Sequence, residues 1–113
     1  MTNEIISTSI NKYFESIKKI GNDGVEYWEA RELMPILGYK KWQNAEETIS
    51  RAAAACINSG QYVDNHFTDV SKMVILGSDS VRKLNDWKLD RYACYLIAQN
   101  GDPRKKEIAL AQT

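Results

Sequence analysis

The sequence predicts an α+β fold, several short helices packed on one or two small antiparallel β-hairpins, and three observations carry that prediction. Apolar residues recur three and four apart in several separate stretches, the mark of amphipathic helices. Two concentrated turn signals, GNDG at Gly21–Gly24 and GSDS at Gly77–Ser80, each divide runs of β-forming residues. A chain of 113 residues buries roughly two-thirds of the surface its unfolded form exposes, enough for one core without metals or disulfides. A single domain over 1–113 is therefore expected.

From Glu4 to about Ile17 the apolar positions Ile6, Ile10, Tyr13, Phe14 and Ile17 share one stripe and predict a first helix. Asn22-Asp23-Gly24 tolerates positive φ and separates Ile17–Ile20 from Val25–Trp28, which fits a hairpin with Val25 and Tyr27 on one face. Helical spacing returns over Glu29–Tyr39: Ala30, Leu33, Met34 and Leu37 share a stripe, and Gly38 occupies the left-handed C-terminal position. Pro35 costs roughly 3 kcal/mol in a helix interior, so this helix is expected to be very short or bent. Gln43–Ile57 predicts a longer helix, with Asn44 as N-cap, Glu46 and Glu47 near the positive dipole end, alanines at 52–55, and Asn58–Gly60 as its close.

Residues 61–71 read as polar and irregular. Lys72–Gly77 and Val81–Leu89 are expected to be the arms of a second hairpin, with a helical turn over Val81, Leu84 and Trp87 as the alternative. Asp90 caps a helix whose stripe is Tyr92, Ala93, Leu96 and Ile97, and Asn100-Gly101 stops it. Asp102 is then expected to cap a further helix with Pro103 at its first position, where the missing N–H costs nothing. Ile108, Ala109 and Ala111 continue that helix to Thr113 without a stop signal, so the 113 residues are expected to be the N-terminal part of a longer chain.

Composition excludes several classes. The apolar runs, such as Ala52–Ile57 and Met73–Leu76, fall far short of the roughly 20 residues that cross a bilayer, so no membrane association is expected. The N-terminus has no basic region followed by an apolar one, and a cytoplasmic protein is expected. Cys56 and Cys94 lie among apolar and aromatic neighbours and read as buried free thiols in a reducing compartment. Lys+Arg and Asp+Glu are both 15, so bulk charge does not attract polyanions, although Lys40-Lys41, Arg82-Lys83 and Arg104-Lys105-Lys106 are local basic clusters.

Catalysis has little foothold. His66 is the single histidine, next to Phe67, with no nucleophile or metal-ligand spacing around it, and it reads as an aromatic spacer in a packed loop. There is no Gly-rich phosphate loop, and no catalytic residue, metal or cofactor is expected. The stronger candidate lies in Ala30–Arg51. Two short helices joined by GYKKWQN have the length of a helix-turn-helix, which puts the start of the second helix at base edges. There Gln43 and Asn44 are candidates to read adenine, and Lys40, Lys41 and Arg51 to meet phosphates. The competing reading is an ordinary helical hairpin with Trp42 in the core and the lysines solvated, and Glu46 and Glu47 favour it by repelling the backbone. Arg104, Lys105 and Lys106, placed at the start of the last helix where cations oppose the dipole, form a secondary candidate patch for an anion or partner.

The segments GVEYWEARELMPILGYKKWQNAEETISRAAAACINSG, DNHFTDVSKMV and RYACYLIAQNGDPRKKEIALAQT together resemble the N-terminal part of the DNA-damage-inducible protein D family, itself similar to the Bro-N domains of phage antirepressors. Trp42 and Asn44 in KWQN, and Arg91, Tyr92, Asn100, Gly101, Asp102 and Pro103 in the last block, match the pattern. Ala45 departs from it, in a place where the resemblance implies a bulkier aromatic residue. The resemblance implies a bacterial or prophage protein under SOS control, a Bro-N-like α+β domain, no enzymatic chemistry, and contact with DNA or with a repressor or recombinase. A homodimer is a further expectation, on the strength of zero net charge and several aromatic residues.

Overall fold

The computed structural model describes residues 10–112. In chain order these form α1 (residues 10–16), β1 (Lys19–Ile20), β2 (Glu26–Glu29), α2 (Ala30–Ile36), α3 (Trp42–Asn58), a 3-10 turn (Val63–Asn65), β3 (Phe67–Asp69), β4 (Lys72–Ile75), β5 (Val81–Leu84), β6 (Trp87–Leu89), α4 (Arg91–Gln99) and α5 (Lys106–Ala111). The fold is α+β, with one antiparallel sheet of order β1-β2-β6-β3 and a separate two-stranded sheet, β4-β5.

The GNDG turn does what its composition demands: Gly24 takes φ 79 and Lys19 pairs with Tyr27. Side chains directly opposite one another in an antiparallel sheet share a face. Trp28 faces Leu89, which faces Phe67, so three strands contribute one apolar row, and all three residues are buried. Val25 is exposed and precedes the strand, so Trp28, rather than Val25 with Tyr27, is the hairpin's core residue. The Trp28 ring stacks on Phe14 of α1 at 4.3 Å, and its indole N–H donates to the Phe14 carbonyl. Phe14 thus lies on the apolar side of α1 as its spacing predicts, whereas Ile6 and the earlier part of that helix lie outside the described residues.

Helix α3 packs mainly on α4. Its buried residues Ala45, Thr48, Ile49, Ala52 and Cys56 are mostly small, which allows a close approach to the buried Ala93, Leu96 and Ile97. Ala45, fully buried, is one of these contacts rather than a defect in the packing. Helix α2 is very short, holds Pro35 within it and ends at the Leu37–Gly38 turn, and it rests mainly on β2 and β6. Cys56 and Cys94 are buried free thiols, and burial pushes both thiol pKa values up.

Three expectations are corrected. Residues 61–71 are not wholly irregular, because Phe67–Asp69 is an edge strand of the four-stranded sheet. The second hairpin exists, but its second arm ends at Leu84, and Trp87–Leu89 crosses to the centre of the other sheet between β2 and β3. Asp102 does not cap a helix. Its carboxylate accepts the Arg104 backbone N–H at 2.9 Å and clasps the Arg104 guanidinium, so Asp102–Lys105 forms a turn and α5 begins at Lys106.

Candidate nucleic-acid interface

The candidate region is built on the short link between α2 and α3. Leu37 ends α2, and Gly38 turns the chain with φ 90, a conformation that a side chain would strain while also driving its Cβ into the Glu107 carboxylate. Tyr39 is buried, and its hydroxyl accepts the Asp102 N–H at 3.0 Å. Lys105 reaches back across the Tyr39 ring, 4.9 Å from its centroid, and donates to the Gly38 carbonyl at 3.1 Å. The link and the Asn100–Lys105 turn are therefore clamped together by contacts between residues more than sixty positions apart.

Helix α3 starts at Trp42. Lys41 is its N-cap residue and supplies no side-chain cap, so Asn44 is not the N-cap and stands one residue further into the first turn than Gln43. The Asn44 carbonyl accepts from the Thr48 hydroxyl, while its exposed side chain has no hydrogen-bond partner among the described residues. Lys40, Lys41, Gln43 and Asn44 are all exposed, and none of their side chains has a hydrogen-bond or ion-pair partner among the described residues. These four donors surround the uncapped, positive end of a helix of 17 residues. Trp42 is half-buried with the Arg31 guanidinium 4.1 Å over its ring, and its indole nitrogen has no partner among the described residues.

Arg51 is placed differently from the other candidates. Its guanidinium donates to the Thr48 hydroxyl at 3.1 Å and approaches the Asn100 carbonyl at 3.4 Å, so it ties α3 to the C-terminus of α4. Beside it lies a cleft of about 560 Å³ in which the two candidate patches meet, Asn44 and Arg51 on one wall and Arg104 and Lys105 on the other. Glu47 and Asp102 line the same cleft. Hydrogen bonds from Arg104 hold the Asp102 carboxyl below its ordinary range, and Arg104 projects beyond the pair with a side chain 89% exposed. Lys40, Lys41, Gln43 and Lys106 stand outside this lining. Glu46 is turned away, accepting from the Asn85 side chain at 3.5 Å.

The two helices do not form a packed helix-turn-helix pair, since α2 rests mainly on the sheet and α3 on α4. His66 is more than a spacer: its Nδ1 lies 2.6 Å from the Asp90 carboxylate, and Tyr92 meets its ring edge-on. No group of three or more metal-ligating side chains occurs among the described residues, and no helix there is long and apolar enough to cross a membrane.

Sequence comparison places this α+β chain in a known family. Residues 16–112 match Bro-N, the BRO family N-terminal domain, and the chain belongs to that family. It is also 48% identical over 100 residues to DNA damage-inducible protein D of Escherichia coli (strain K12), an alignment that covers 88% of this chain and 36% of that protein. The chain thus spans little more than a third of that relative's length. No solved structure matches it.

Proposed function

We propose that this domain is a non-enzymatic, DNA-contacting module of a DNA-damage-response or antirepressor-like protein, meeting the duplex through Lys40, Lys41, Gln43 and Asn44. The observation that carries the reading is the set of four exposed donors around the positive end of α3 that have no partner among the described residues. Two lysines supply phosphate contacts, and two amides have the paired donor and acceptor that an adenine edge requires. Arg51 acts here as a buttress between α3 and α4, and Arg104 and Lys105 form the far lip of the neighbouring cleft. Family membership and the name of the damage-inducible relative support the setting.

Fluorescence anisotropy with a labelled duplex at low salt tests the reading. The wild-type chain is expected to bind with an affinity that falls steeply as salt rises, and Lys40→Glu with Lys41→Glu to weaken binding at least tenfold. Binding indifferent to that double charge reversal, or none at all, would sink it.

One observation favours a second reading, a module that binds a repressor or recombinase and leaves DNA to that partner. Glu47 and Asp102 interleave with Arg51 and Arg104 in the cleft, a pattern suited to a protein surface of mixed charge. Under that reading Glu47→Lys abolishes capture of the partner protein and leaves the weak affinity for free DNA no lower than before.

A further inference from the structure

The β4-β5 hairpin forms a sheet of its own, and its two strands pack chiefly on each other. Its feet are fixed. The Val70 N–H donates to the Asp86 carbonyl, and the Ser71 hydroxyl accepts the Asp86 N–H, so β4 and β5 continue the β3-β6 ladder outward past a local break. Asp86 is buried and its carboxylate accepts the N–H groups of Arg31 and Trp87. Arg31 in turn donates to the Asn85 carbonyl and lies over Trp42, and Asn85 donates to Glu46. The root of the hairpin is therefore bolted to the first two turns of α3.

The register sorts the arm into two faces. Met73 opposite Lys83 and Ile75 opposite Val81 make one face, while Lys72 opposite Leu84 and Val74 opposite Arg82 make the other. Ile75 is 81% exposed, Met73 62% and Val81 58%, an apolar patch that a freely solvated hairpin has no use for. Between Lys72 and Leu84 there are three cations and one carboxylate, Asp79, on a chain whose net charge is +0. Lys72 and Arg82 have no ion-pair partner among the described residues. Lys83 adds to the field at Asp69, whose carboxyl is held below its ordinary value chiefly by Ser71.

From this geometry we infer that the β4-β5 hairpin is a second nucleic-acid contact, a two-stranded ribbon that enters a groove of the same duplex α3 meets. A duplex major groove admits a ribbon of two strands, and apolar side chains find thymine methyl groups at its floor. Lys83 shares the apolar face, and Lys72 and Arg82, on the opposite face, reach past the ribbon's edges, so that together the three supply the complementary charge for the phosphates that flank the groove. The inference extends the proposed function, because a ribbon rooted on α3 brings helix and hairpin to one partner.

The test is anisotropy of the full 113-residue chain on a duplex oligonucleotide across a salt series, with far-UV circular dichroism to verify the fold. Replacing Lys72, Arg82 and Lys83 together by Ala is expected to weaken binding at least tenfold and to lower the slope of log K against log salt by about 2 to 3, at about 0.9 per phosphate contact. Ile75→Ser with Val81→Ser is expected to weaken binding severalfold with the slope unchanged. If both hairpin variants bind like wild type while Lys40→Glu with Lys41→Glu still weakens binding, the ribbon is overturned and the α3 contact stands. If the wild-type chain binds no duplex, both fall. A dimer in sedimentation that Ile75→Ser with Val81→Ser disperses, with DNA affinity unchanged, would assign the apolar face to a second copy and overturn the inference.

Discussion

Asp90 serves two elements with one carboxylate. One oxygen accepts the Ala93 N–H and caps α4, and the other meets His66 Nδ1, holding the 61–66 loop against the sheet. Asp90→Ala removes both and is expected to cost about 1–2 kcal/mol in chemical denaturation, whereas Asp90→Asn keeps the cap and costs less. Arg91, the next residue, grips Glu26 through two hydrogen bonds of 2.8 and 3.1 Å and Glu15 through a third. That grip holds the Glu26 carboxyl below its ordinary value of 4.5. A carboxyl whose pKa is lower folded than unfolded stabilises the fold above the unfolded value, and that contribution is lost as pH falls through the folded one. Melting temperature is therefore expected to drop as pH falls below the ordinary carboxyl range, and Glu26→Gln to flatten the drop. An identical acid profile in the variant would contradict this assignment.

Elements whose boundary signals are local are the ones that can be read from the sequence. The Asp90 cap, the Asn100-Gly101 stop and the GNDG turn each act through neighbours a few residues away, and each is found where its residue type predicts. At Gly101 a Cβ would stand 2.5 Å from Ile108, which gives the stop a packing reason as well. Elements fixed by distant contacts are harder to read. Asp102-Pro103 has the local chemistry of a helix start, yet the Tyr39 hydroxyl and the Arg104 side chain take its polar groups and turn it into a loop. Trp87–Leu89 becomes a central strand because Glu29 and Thr68 flank Lys88, pairings that no local pattern announces. The candidate site divides the same way: Lys40, Lys41, Gln43 and Asn44 were legible as one exposed group, but the tie from Arg51 to Asn100 and the meeting of the two basic patches were not. Because Asn44 does not cap α3, Asn44→Ala is expected to leave stability within about 0.5 kcal/mol of wild type while weakening DNA binding. A loss of the size expected for a removed cap, about 1 kcal/mol, would return Asn44 to a structural role.

At the scale of the whole molecule, zero net charge is compatible with the proposed contact because part of the negative charge is tied up in ion pairs away from it. Carboxylates at Glu15, Glu26, Glu29 and Glu32 are spent on Arg91, Lys18 and Lys19 around α1 and the first hairpin. The cations left without ion-pair partners among the described residues include Lys40, Lys41, Lys72 and Arg82, at the head of α3 and on the arm rooted beside it. The most direct test of that division is an amide chemical-shift footprint of the isotope-labelled chain titrated with a short duplex. Shifts concentrated at residues 38–47, extending to 72–84 and to the 101–106 turn, are the predicted result. Shifts confined to α1 and the first hairpin, or none at saturating duplex, would contradict it.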